Sequence, residues 1–188
     1  MRFTFRCLDA TADAPLLHSW VTKPYASFWG MLSASVEDVV QEYRTIQASG
    51  HHHALLGLDG GVPAFLMEEY LPGSSPLAAV YAEEPGDVGM HLLVAPPSSG
   101  PEAGYTTAVM DAVLDRIFAR PDVERVVVEP DARNTRIHAL NERLGFQPAG
   151  LVTLPDKEAL LSFCIRADYL TARAALNLPT PIPQGAAL

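Results

Sequence analysis

The sequence predicts a layered fold of the α/β or α+β class, built as one domain. Three observations predict it. A chain of 188 residues is long enough for one full-sized core and short for two. Apolar periodicity reads along the chain in the order β-α-α-β-β-β-α-β-α-β-β, without an internal repeat. The triplet Asp59-Gly60-Gly61 between two apolar runs is a hairpin signal, because Gly supplies the positive φ such turns need.

Each element has its own warrant. Residues 2–8 alternate apolar and polar and predict a strand. Thr11 or Asp13 caps a short helix carrying Leu16, Leu17 and Trp20, broken at Lys23-Pro24. Ser35 is a good N-cap for a helix from Val36 to about Ala48, with Glu37 and Asp38 near the positive end of its dipole. Strands are expected at 53–58 and 62–70 around the glycine turn, and 71–86 reads as an acidic loop. Val88 to Ala95 is a strand ended by Pro96-Pro97, and Glu102 to Ala119 is a helix with one apolar face. Arg125 to Glu129 is β-branched and buried, and Asn134 to Leu144 is a helix closed by Gly145. Phe146–Leu154 and Ala159–Arg166 are the last two strands. The domain is expected to span 1–170, with a Pro-containing, poorly ordered tail at 171–188.

Charge narrows the partners. The net charge of −9 argues against nucleic acid or an anionic membrane surface. It is unevenly placed: from Thr45 to Asp115 there are nine acids and no Lys or Arg, which accounts for the whole imbalance. Cys7 and Cys164 form no CxxC pair and read as buried free thiols. No apolar run approaches a membrane span and the first residues lack a signal-peptide h-region, so a cytoplasmic protein is expected. The run His51-His52-His53 reads as strand edge; adjacent residues alternate faces, so three of them do not readily chelate one ion, and no metal is expected.

The informative stretch is Gly89-Met90-His91-Leu92-Leu93-Val94-Ala95, a Pro/Ser/Gly loop to Gly104, and then the long helix. A strand running through such a loop into a helix N-terminus can hold an anion on orphan N–H groups, or can be a mere connection. The second stretch is Glu129-Pro130-Asp131-Ala132-Arg133-Asn134, followed by a helix and Gly145-Phe146. On their own, His91 reads as a strand histidine or a functional one, and Asp131 and Asn134 as helix caps or site residues.

Together these stretches resemble the strand–Asn–helix–Gly-Phe element of the GNAT (Gcn5-related) N-acetyltransferases, and the element order over residues 2–166 agrees. Four motifs, His18-Ser19-Trp20-Val21-Thr22-Lys23-Pro24, Phe28-Trp29-Gly30-Met31, Gly86-Asp87-Val88-Gly89-Met90-His91-Leu92-Leu93 and Val128-Glu129-Pro130-Asp131-Ala132-Arg133-Asn134, are similar to the hydroxamate-siderophore branch. The resemblance implies a GNAT fold: a mixed, mostly antiparallel sheet split by an acyl-CoA cleft and flanked by helices. It implies an acyl-CoA N-acyltransferase, with acetyl-CoA or succinyl-CoA as co-substrate, no metal, and a small hydroxylamine acceptor such as N-hydroxycadaverine. His91 and Asp131 become the catalytic candidates. Leu93, Val94 and Ala95 are expected to pair with the pantetheine, and Ser99, Gly100, Ala103 and Gly104 to hold the pyrophosphate. Asn134 should lie near the thioester, with Arg133, Arg136 or Arg143 supplying charge to CoA. Trp20 and Trp29 are expected to wall the acceptor, Phe28 to pack in the core, and Glu68 and Asp87 to face the acceptor's distant ammonium. A monomer or homodimer is expected. Two features depart from the family: the loop has no basic residue, and Asn141 stands where many members have a Tyr acid. An ordinary amine acceptor and a catalytically silent GNAT-like module are the competing readings.

Overall fold

The computed structural model describes residues 2–96 and 100–178. The chain forms two compact units. One comprises Arg2–Leu71 with His91–Pro101; the other comprises Pro72–Met90 and the chain from Glu102 onward.

The first unit begins with β1 (Phe3–Cys7), α1 (Ala14–Val21), a short 3-10 segment (Pro24–Trp29) and α2 (Val36–Ser49). Strands β2 (His52–Asp59) and β3 (Val62–Tyr70) follow. Ser35 caps α2 as expected: its Oγ accepts the Asp38 N–H at 3.1 Å, and Asp38 accepts the Ser35 N–H at 2.8 Å. This reciprocal box satisfies two donors at the helix start. Val39, Tyr43 and Ile46 recur at helical spacing and are buried with Leu17, Val21, Leu56 and Leu66. Gly60 and Gly61 both take positive φ, 57° and 88°, so the β2–β3 hairpin closes in two residues. The antiparallel register shifts between Gly57 and Leu58, a bulge after which His52 lies opposite Tyr70 and Ala54 opposite Glu68. Two expectations are corrected in this unit. Cys7 is exposed rather than buried. Phe28 is 45% exposed, not core, because the 3-10 segment turns it outward.

Strand β4 (Asp87–Val94) contributes its second half to this unit and its first half to the other. The strands are ordered β1-β2-β3-β4-β5-β7-β6. The pairs β1·β2, β2·β3, β5·β7 and β6·β7 are antiparallel, and β4·β5 is parallel over Asp87–Gly89.

The second unit holds α3 (Tyr105–Phe118), β5 (Arg125–Val128), α4 (Thr135–Arg143), β6 (Gln147–Thr153), β7 (Glu158–Ile165) and α5 (Arg166–Ala175). Val109, Met110, Val113, Leu114, Ile117 and Phe118 bury one face of α3, as their spacing predicts. The loop 71–86 contains two 3-10 turns, Pro72–Ser74 and Pro76–Ala79. Helix α5 differs from the sequence reading, which ends order soon after Asp168. Its anchors are remote in sequence. Tyr169 stacks on Phe118 with centroids 5.5 Å apart and donates its O–H to Asp111 at 2.8 Å. Arg173 pairs with Asp111 at 3.2 Å and Asp115 at 3.1 Å. Arg166 donates to the carbonyls of Phe118, Arg120 and Val123, closing the end of α3. No helix among the described residues is long and apolar enough to cross a membrane.

Candidate active site

In the first unit, strand alternation places His52, Ala54, Glu68 and Tyr70 on one face of the β2–β3 hairpin. His91 on β4 joins them. Glu68 is the hub. Its Oε2 accepts from His52 Nε2 at 3.2 Å and His91 Nδ1 at 3.1 Å, and its Oε1 accepts the Tyr43 O–H at 3.1 Å. Burial alone would raise the Glu68 pKa, but the hydrogen bonds and charges of His52 and His91 outweigh it and hold the carboxyl down to about 2. Burial, with the neighbouring Glu68 charge, raises the Tyr43 phenol.

Aromatic rings wall His91. Tyr70 lies 4.9 Å away, centroid to centroid, and Trp29 6.3 Å away edge-on. His52 lies 6.3 Å from His91 and 5.4 Å from Tyr70. The imidazole of His91 is about one-third exposed (36%), whereas Glu68 is nearly enclosed (7%). An imidazole whose Nδ1–H is held by a buried carboxylate keeps Nε2 as its proton-accepting nitrogen. The arrangement can therefore position a nucleophile's hydrogen and take its proton.

The expected site residues fall out as follows. Trp29 stands beside His91, but Trp20 does not join the wall: it is buried in the core with Leu17 and Val21, because α1 turns it inward. Glu68 does not offer a free carboxylate to an ammonium, since His52, His91 and Tyr43 all bond to it. Asp87, in the second unit, is likewise engaged. It accepts from Arg125 Nε and Nη2, both at 2.7 Å, from the Tyr81 O–H at 3.2 Å and from the Glu84 N–H at 2.9 Å. Its carboxylate is 1% exposed, so the ion pair is its role in the fold.

Along β4, Leu93 and Ala95 are in the core of the first unit. The Ala95 N–H donates to Ala64 O at 3.0 Å, so it is not available to a pantetheine amide. Strand alternation turns the N–H and C=O of Val94 to the side away from β3. Ser99 lies outside the described residues. Gly104 is the N-cap residue of α3 and Ala103 precedes it, both exposed; Gly100 is half-buried.

In the second unit, Asp131 follows β5 and organises the turn into α4. Its carboxylate accepts from the Arg133 N–H at 2.8 Å and from the Arg133 guanidinium at 2.9 and 2.6 Å. These bonds hold its pKa down to about 2, which makes it a weak proton acceptor. Asn134 caps α4 through the Ile137 N–H at 3.4 Å, and Arg136 is exposed. Asn141 is buried, and its Oδ1 has no hydrogen-bond partner among the described residues.

The family model for the acetyltransferase (GNAT) domain matches residues 9–154. The chain belongs to this family. As a GNAT acetyltransferase it is an acyl-CoA-dependent N-acyltransferase, with acyl-CoA as its co-substrate. The chain is 27% identical over 168 residues to the N-hydroxyputrescine acetyltransferase of Acinetobacter baumannii, covering 89% of this chain and 79% of that protein. It is 24% identical to the N(6)-hydroxylysine O-acetyltransferase of Escherichia coli, covering 89% of this chain and 53% of that one. It is also 26% identical to the aminoglycoside N(6′)-acetyltransferase type 1 of Klebsiella pneumoniae, covering 86% and 83%. Among solved structures, an uncharacterized protein of Bacillus halodurans superposes with a TM-score of 0.84 at 29% identity, covering 92% of this chain and 88% of that one. AAC(6′)-Ib in complex with ribostamycin and coenzyme A superposes at 0.79 and 23%, covering 92% and 98%, which supports the GNAT fold.

Sequence reasoning missed three members of the cluster around Glu68 and His91: His52, Tyr43 and Tyr70. Tyr43 and Tyr70 look like core residues in sequence, and each carries one polar atom that only the fold aims. His52 sits within a run of three histidines, where the alternation of a strand is the signal that separates it. His53, its neighbour, is exposed.

Proposed function

We propose that the protein acylates the hydroxylamine nitrogen of an N-hydroxylated diamine or amino acid, best an N-hydroxycadaverine, to form a hydroxamate for siderophore assembly. The observation that carries the reading is the aromatic-walled His91 held by buried Glu68. The names of the relatives that act on hydroxyputrescine and hydroxylysine support the acceptor class.

A hydroxylamine is less basic than an alkylamine, so its nitrogen is neutral near pH 7 and already nucleophilic. It attacks the thioester carbonyl; the C–N bond forms and the C–S bond breaks. The nitrogen proton passes to His91 Nε2 and ends on the leaving thiolate, giving hydroxamate and CoA thiol. Glu68 is a positioning residue here: it fixes the His91 tautomer. The central excess of acid attracts an acceptor with a distant ammonium group, with exposed Glu83 and Glu84 as its accessible members. Val94, whose N–H and C=O face away from β3, pairs with the pantetheine.

The test is turnover of an acyl-CoA panel against N-hydroxycadaverine, N-hydroxylysine, N-hydroxyornithine, cadaverine and an aminoglycoside. Hydroxamate is read as its iron(III) colour and thiol release as a common measure. Preference for the hydroxylamines supports the proposal, and preference for a plain amine refutes it. The likeness to an aminoglycoside acetyltransferase makes that second outcome the competing reading. His91→Ala should lower kcat with acyl-CoA affinity unchanged.

A further inference from the structure

We propose that His52, Glu68 and His91 form a binding site for one divalent transition ion, zinc by their donor set, and that its occupancy stops acyl transfer. Three residues carry the inference: His52, Glu68 and His91 each offer one donor atom, and these atoms all lie within 4.8 Å of one another. Both imidazoles converge on the same carboxylate oxygen, at 3.2 and 3.1 Å, rather than dividing between the two. Ligands about 2.0–2.1 Å from a zinc ion stand roughly 2.9–3.4 Å apart along the edges of an octahedron or tetrahedron, and both measured separations fall in that interval. The other carboxylate oxygen is held by the Tyr43 O–H, the outer-shell support that fixes a ligating carboxylate.

Two histidines and one carboxylate form a donor set that zinc accepts with a position left open for water. The burial gradient suits this, because Glu68 is enclosed while His91 reaches solvent. The proton balance explains the inhibition. With both rings neutral, each shares an N–H with Glu68; the ion takes those nitrogens, and the two protons move to His52 Nδ1 and His91 Nε2. An imidazolium would release its extra proton to solvent. His91 Nε2 then carries a hydrogen and can no longer accept one. This last step rests on the role assigned to His91 above; the binding site itself does not.

The experiment uses the full chain, freed of metal by chelator and dialysis, in two arms. In the first, zinc is titrated calorimetrically, and cobalt(II) is followed by its visible absorption. One equivalent is expected, with affinity at least tenfold weaker in His52→Ala and in the more conservative His52→Gln. His53→Ala, on the exposed neighbour, should bind as wild type. Absence of binding, or binding lost in His53→Ala and kept in the His52 variants, overturns the site. In the second arm, zinc should abolish acyl transfer and chelator should restore it, with acyl-CoA affinity unchanged. Unchanged turnover at a zinc-filled site overturns the inhibition and the proton-accepting role of His91, while leaving the site standing.

Discussion

Replacing Glu68 by Gln keeps the shape of the side chain and removes its charge. Gln can still accept from Tyr43, but its amide now meets two ring nitrogens that had a carboxylate oxygen between them. Breaking a buried charge-assisted set of this kind costs about 3–5 kcal/mol. The titration of the group gives a second route to the size. Its carboxyl moves from 4.5 to about 2 on folding, worth roughly 3 kcal/mol at about 1.4 kcal/mol per pH unit. For a chain of this length, about 3 kcal/mol lowers Tm by roughly 6–12 °C. The sign in pH follows from the direction. A carboxyl held below its unfolded value stabilises fully above that value and loses the stabilisation as pH falls through the native one. The gap between wild type and Glu68→Gln should therefore shrink as pH falls from about 4.5 toward 2. Thermal melts followed by circular dichroism across that range check it. A Tm at pH 7 indistinguishable from wild type, or a gap that persists unchanged at pH 3, would refute the buried hub.

Three further outcomes follow from the same geometry. Asp87→Asn should destabilise by about 3 kcal/mol in a denaturant titration, because it removes the bidentate partner of the Arg125 guanidinium and leaves the longer Glu84 contact at 3.6 Å, while the acceptor KM stays unchanged. A raised KM at full stability would instead return Asp87 to the substrate. Gly57→Ala should cost about 1–3 kcal/mol, since an added Cβ would stand 2.1 Å from the Phe65 ring, its cross-strand partner; Phe65→Leu in the same chain should recover part of the loss. Ser35→Ala removes the α2 cap and should lower Tm by roughly 2–4 °C, for about 1 kcal/mol.

Much of this protein is legible along the chain because local rules decide it. The capping box at Ser35, the two-glycine turn and the apolar faces of α2 and α3 all follow from residues within a few positions of each other. The motif around Asp131 and Asn134 marks the family for the same reason: its turn is built from its own residues. Helix α5 was not legible, because Tyr169 and Arg173 are held by Asp111, which lies 58 positions from Tyr169.

The site divides along the same line. Sequence alone brings forward His91, Trp29 and the acidic character of the middle of the chain. It does not say which acid meets which histidine. Counted straight back from the Gly60-Gly61 turn, His52 would oppose Glu69, and Glu68 would face the other side. The bulge between Gly57 and Leu58 adds one residue to β3 and brings His52 opposite Tyr70. Because strand side chains alternate with period two, that single residue turns Glu68 to the face of His52, Tyr43 and His91. The residue types of the site belong to the sequence; their convergence on one carboxylate oxygen belongs to the tertiary structure, through one slip of register.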